Sequence, residues 1–136
     1  MMKELTLAAT LENLEKVTEF VETQLEACDC PMKVQMKINI AIDELFSNIA
    51  RYAYAPGTGE ATVRVETLPE PPAAVITLID SGVPYNPLEK DDPDINLSAE
   101  EREIGGLGIF MVKKSMDEMT YEYKDGQNIL KICKYY

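Results

Sequence analysis

At 136 residues and 15.2 kDa the chain is the size of one compact domain, able to fold alone or as a small oligomer such as a homodimer. Its 24 acidic residues against 13 basic ones leave a net charge of −11, which disfavours direct contact with nucleic-acid phosphates or anionic membrane surfaces. The absence of histidine excludes Ser-His-Asp and Cys-His nucleophile systems, His-ligated metals and phosphohistidine chemistry, so catalysis is left to carboxylates, lysines, tyrosines or a bound metal.

Met1-Met2-Lys3-Glu4 enters no long apolar region, and no later run approaches the roughly 18 residues of a membrane span. Neither export nor a membrane is therefore expected. Lys3–Ala8 reads as a short strand. Leu11, Leu14, Val17, Val21 and Leu25 then recur at helical spacing, with Thr10 available as an N-cap, predicting an amphipathic helix that ends near Cys28. Cys28 and Cys30, with Cys133 far away, are too few for a disulfide framework or a closed zinc site. They fit reduced thiols at a helix end in a reducing cytoplasm.

A second helix should open with Pro31 at its first position and run to about Tyr54, burying Val34, Ile38, Ile42, Leu45, Ile49 and Tyr52. Pro56 and Gly57 stop it. Ala61–Thr67 and Ala73–Ile79 read as strands flanking the turn Pro69-Glu70-Pro71-Pro72, the second nearer the sheet centre because it is more continuously apolar. From Asp80 to Glu103 no periodicity holds, and a loop of that length in a compact domain is usually functional or disordered. A third helix is predicted after Gly105-Gly106-Leu107-Gly108, with Ile109, Val112, Met116 and Met119 on one face. Tyr121–Lys124 and Asn128–Tyr136, joined by Asp125-Gly126, complete a hairpin. Together these predict a single α+β domain over residues 1–136, a two-layer sandwich with helices on one face of a mixed, largely antiparallel sheet.

Polar residues on the second helix have no packing reason in its pattern. Glu44, Asn48 and Arg51 project from one side, where Glu44 could accept a proton, the Asn48 oxygen could bind magnesium and Arg51 could meet phosphate. The plainer alternative is a solvated polar face beside Asp43. Asp80 ends the central strand, where a carboxylate can accept a hydrogen bond from a base's exocyclic amine, and Gly82 would let a flat ring approach the backbone. Asp-x-Gly is also a common turn. The glycines 105, 106 and 108 at a helix start offer backbone N–H groups and the helix dipole to an anion, or simply a hinge. Neither a P-loop nor a dinucleotide fingerprint is present. Asp92, Asp94, Asn96, Ser98, Glu100 and Glu103 have the spacing of a calcium loop, but Leu97 replaces its glycine and Pro93 interrupts it, which weighs against calcium.

Taken in order, Glu44-Leu45-Phe46-Ser47-Asn48, Asp80-Ser81-Gly82-Val83-Pro84 and Gly105-Gly106-Leu107-Gly108-Ile109-Phe110 resemble the three ATP-binding boxes of the Bergerat-fold (GHKL) ATPases. Within that superfamily the chain is similar to the small anti-sigma factor serine kinases of bacteria, over nearly its whole length. The resemblance implies Glu44 as the catalytic carboxylate, Asn48 as the magnesium ligand and Asp80 as the adenine-binding acid. Arg51, Gly82, Pro84, Gly105, Gly106, Leu107 and Gly108 complete the expected ATP site, and residues of about 85–104 fall where the family has its ATP lid. Ile104 stands where well-known members carry an arginine, with Arg102 two positions displaced. The expected cofactors are ATP and Mg2+. The expected activity is transfer of phosphate to a serine or threonine of a small anti-sigma antagonist, alternating with sequestration of a sigma factor in the cytoplasm. The competing expectation is a nucleotide-gated protein-binding module without phosphotransfer. A third, a structural acidic domain that binds no nucleotide, would leave the three boxes as coincidence.

Overall fold

The computed structural model describes residues 2–89 and 106–136. Its elements are β1 (Met2–Ala8), a 3-10 turn (Leu11–Asn13), α1 (Leu14–Ala27), α2 (Met32–Asn48), a π-helical turn (Ile49–Ala53), β2 (Glu60–Pro69) and β3 (Pro72–Asp80). A short 3-10 turn (Pro87–Glu89), α3 (Gly106–Ser115), β4 (Glu118–Lys124) and β5 (Gln127–Tyr135) follow. The sheet has five strands in the order β1-β2-β3-β5-β4. Every pairing is antiparallel, so among the described residues the sheet is antiparallel rather than mixed. β3 lies at the centre, as its continuous apolar run predicts.

The core lies between one face of this sheet and the helices. Val63, Leu78 and Leu130 are opposed across three strands, as are Val65, Ile76 and Ile132, and all six are buried with Val17, Val21 and Leu25 of α1 and Ile38, Ile42 and Phe46 of α2. Period-two alternation in the strands and the three-four spacing in the helices thus meet in one layer. Ala73, Val75 and Cys133 form a smaller cluster on the other sheet face.

Local chemistry explains where the elements begin and end. Thr10 makes no side-chain capping bond; the chain enters through the 3-10 turn, and Asn13 Nδ2 donates to the Ala8 carbonyl at 2.8 Å instead. α1 stops at Cys28 because Asp29 turns left-handed at φ 57°, letting the Asp29 amide reach the Glu26 carbonyl and the Cys30 amide reach the Leu25 carbonyl at 3.0 Å. That double closure is a Schellman cap, and it accounts for Cys28-Asp29-Cys30 without a metal. Pro31 precedes α2 as its cap in an extended conformation, one position earlier than expected, and its carbonyl accepts from Val34 and Gln35. α2 keeps α-helical geometry only to Asn48, and Tyr52, assigned to the core stripe by periodicity, is 51% exposed. α3 starts at Gly106, so Gly106, Leu107 and Gly108 form its first turn instead of preceding it, and Met119 belongs to β4. Asp125 and Gly126 both have positive φ, 54° and 78°, which makes the β4–β5 connection a type I′ turn.

Candidate functional site

A cavity of about 400 Å³, within the usual range of small-molecule sites, opens between the C-terminal end of α2, the ends of β3 and β5, and the segment after β3. Leu45, Ile49, Leu78, Ile109 and Leu130 give it apolar walls, Tyr52, Tyr85 and Tyr121 add aromatic surface, and Asn48, Asp80 and Asn128 are its polar side chains. Sheet register builds the polar end. Asp80 stands opposite Asn128 one step beyond the Leu78–Leu130 pair, on the same face, so the core row gives way to two hydrogen-bonding groups where the strands leave the layer.

Asp80 is buried and has no basic partner among the described residues. Its Oδ1 accepts from the Gly82 amide and from Asn128 Nδ2, both at 2.9 Å. Oδ2 receives no hydrogen bond from the described residues. The carboxylate is therefore anchored through one oxygen, leaving the other as an acceptor for a ligand donor. Gly82 makes a close backbone approach within the protein. A Cβ there would fall 2.2 Å from the Ala53 carbonyl oxygen, and the next amide, Val83, donates to that same carbonyl at 2.9 Å. The missing side chain lets the β3 exit pack on the π turn, and Pro84 then joins the cavity wall. Tyr54 closes the same corner, its hydroxyl accepting from the Ser81 amide at 2.7 Å and donating to the Glu60 carbonyl at 2.6 Å.

Glu44 and Asn48 come together as their spacing predicts: Asn48 Nδ2 lies 3.4 Å from Glu44 Oε1. Asn48 lines the cavity, and Glu44 sits beside it against the first turn of α3, where a Cβ on Gly108 would be 2.2–2.5 Å from the carboxylate atoms. Arg51 does not join them. The π turn uses wider i→i+5 closure, so each residue advances less around the axis than in an α-helix; Tyr52 and Ala53 reach the cavity and Arg51 is left exposed. Gly106 and Leu107 lie in the first turn of α3. Gly105, Arg102, Ile104, the acidic calcium-like run and most of the expected lid lie outside the described residues.

Among the described residues no group of three or more Cys, Asp or Glu side chains could hold a metal. The donor set beside the cavity nevertheless suits magnesium: Asn48 turns its amide nitrogen to Glu44 and keeps Oδ1 as a hard oxygen donor, and Mg2+ commonly takes few protein ligands when substrate phosphates and water supply the rest. No helix among the described residues is long and apolar enough to cross a membrane.

The residue missed from the sequence is Asn128. Its signal was present, because it shares parity with the buried Leu130 and Ile132 in a hairpin whose turn was recognised. An amide in a core-facing position requires partners, and those partners lie in the site.

Known proteins are similar to this chain over most of its length. A family model described as the histidine kinase-like ATPase domain matches residues 7–134. The serine/threonine-protein kinase BtrW of Bordetella bronchiseptica is 22% identical over 103 residues, covering 76% of this chain and 72% of that protein. The serine-protein kinase RsbW of Bacillus mycoides is 32% identical over 97 residues, covering 68% of this chain, and RsbW of Listeria monocytogenes is 26% identical over the same length. The matched region spans only 59% and 61% of those two kinases, respectively.

Proposed function

Because this chain belongs to the histidine kinase-like ATPase domain family, we propose that it is an ATP-binding anti-sigma factor with serine/threonine protein kinase activity. In this reading it transfers the γ-phosphoryl group of ATP to a hydroxyl of a small antagonist protein, and holds a sigma factor when the antagonist is not engaged. The observation that carries the proposal is the placement of Glu44 and Asn48 on successive turns of α2, at the edge of a cavity that Asp80 also lines.

Each group has a distinct task. The apolar walls and tyrosines take the purine ring, and Asp80 Oδ2 accepts its exocyclic amine. Asn48 Oδ1 holds magnesium, which when bound offsets the phosphate charge and aligns the triphosphate. Glu44 Oε accepts the proton of the attacking serine or threonine hydroxyl as the oxygen–phosphorus bond forms and the bond to the ADP oxygen breaks. The first turn of α3, with Gly106, Leu107 and Gly108, presents a helix N-terminus to the phosphates, and Gly105 is a further ATP contact in this reading. The match spans 59% of the Bacillus mycoides RsbW, and sigma-factor and antagonist binding belong to this reading through family membership.

The deciding experiment incubates the purified chain with labelled magnesium-ATP and purified single-domain antagonist proteins from the same genome, alongside calorimetric titration of ATP and ADP. Micromolar nucleotide binding with phosphate on one antagonist supports the proposal. Binding without transfer to the cognate antagonist would leave a nucleotide-gated binding module, and no binding would overturn both readings.

A further inference from the structure

Asn128 sits in the wall of the cavity with its whole hydrogen-bonding capacity committed to protein. Its Nδ2 donates to Asp80 Oδ1 at 2.9 Å and to the Val83 carbonyl at 3.0 Å, with the Gly82 carbonyl at 3.5 Å. Its Oδ1 accepts from the Tyr85 amide at 3.1 Å and from the Tyr121 hydroxyl. A side-chain amide offers two N–H donors and two lone pairs, so nothing is left over for a ligand. The amide orientation is also fixed by its neighbours, because a flip would turn its oxygen onto a carboxylate and two carbonyls.

One buried side chain therefore joins three parts of the site: the acid at the end of β3, the segment Val83–Tyr85 that continues the cavity wall, and Tyr121 of β4. We propose that Asn128 is the positioning residue for base selectivity, saturating Asp80 Oδ1 so that Oδ2 alone meets the base, and pinning Val83–Tyr85 beside that contact. The inference rests on the nucleotide-binding reading and extends it to the choice of base. A 6-amino purine gives Oδ2 a donor. A 6-oxo purine brings an acceptor against the carboxylate, and a site built around a required hydrogen bond rejects such an analogue strongly.

The test compares ADP with inosine diphosphate, which differ at that position, by calorimetry with magnesium on the wild type, Asn128→Asp and Asn128→Ser. Asn128→Asp keeps shape and the acceptor side and, when ionised, donates nothing; Asn128→Ser removes the bridge without adding charge, and serves where the former fails to fold or shares a proton with Asp80. The wild type should favour ADP by about 100-fold or more. Either variant should lose about 10-fold or more in ADP affinity with little change for inosine diphosphate, compressing the preference, and the Tyr85 amide should exchange faster. Equal losses for both nucleotides would mark a purely structural role and overturn the proposal, as would unchanged affinities. A wild type that binds both equally would overturn it while leaving nucleotide binding intact. A wild type that binds neither would remove the nucleotide reading itself and this inference with it.

Discussion

Gly108→Ala isolates the position of Glu44 from its chemistry. The added Cβ would stand 2.2 Å from the Glu44 carboxylate carbon, whereas carbon atoms in ordinary contact are about 3.5 Å apart, so one of them must move by more than 1 Å. The group that yields is the end of a flexible side chain, and alanine in place of glycine within a helix is worth up to about 1 kcal/mol. Folding stability should therefore change by less than about 1 kcal/mol in either direction. The carboxylate also gives up its place beside Asn48 Nδ2, now 3.4 Å away. Misplacing a reacting group by 1 Å can cost about 100-fold in rate. We expect single-turnover phosphorylation of the antagonist at saturating ATP to fall by about that factor, with ADP affinity within a factor of about three of wild type. A variant that folds, binds ADP and transfers phosphate at the wild-type rate would refute the assignment of Glu44 as the base held by this contact.

Four further outcomes follow from the same geometry. Glu44→Gln should retain nucleotide binding yet lose about 10² to 10⁴-fold in single-turnover phosphotransfer, because shape is kept and proton acceptance removed. Asn48→Ala should weaken ATP binding mainly in the presence of magnesium, so calorimetry with and without the ion should converge on similar affinities. Gly82→Ala meets backbone at 2.2 Å where Gly108→Ala meets a side chain, and urea denaturation should show a loss of about 3 kcal/mol or no folded protein. The Tyr135 phenol, donating to the Glu118 carboxylate and facing its negative charge, is pushed up to about 12 from an ordinary value of 10.0. Its folded-state pKa is raised, so its contribution to stability is present below pH 10 and lost as pH rises through about 12. The urea midpoint should drop across that window less in Glu118→Gln than in the wild type, and equal drops would refute the pairing.

Elements whose chemistry is periodic were legible in the sequence. The spacing of Val17, Val21 and Leu25 and the apolar run of β3 placed α1 and the central strand, and the pair Glu44–Asn48 followed from helical repeat alone. What escaped depends on departures from that repeat. A repeat of 3.6 residues per turn puts Arg51 beside Asn48, but the segment opens into a π turn, and no composition signal marks Ile49–Ala53 as different. Gly82 showed that something approaches closely, but whether a ligand or Ala53 fills the space is a tertiary fact. Asn128 required register, which links β5 to β3 across 48 positions of chain.

The type I′ turn at Asp125-Gly126 also decides what the cavity contains. A two-residue loop admits one alignment of its strands, Lys124 against Gln127, and every later pair on β5 inherits it, down to Leu130 facing Tyr121. Inserting a single residue into this exposed loop would encourage β5 to slide by one against its partners. Side chains alternate, so Ile129 or Gln127 would arrive where Asn128 now meets Asp80, and Lys131 would press toward the layer that Leu130 and Ile132 fill. Length changes at a surface hairpin are ordinarily among the mildest alterations a domain sustains; here the hairpin acts as an index pin, and natural variants of this chain should preserve its loop length even where its residues differ.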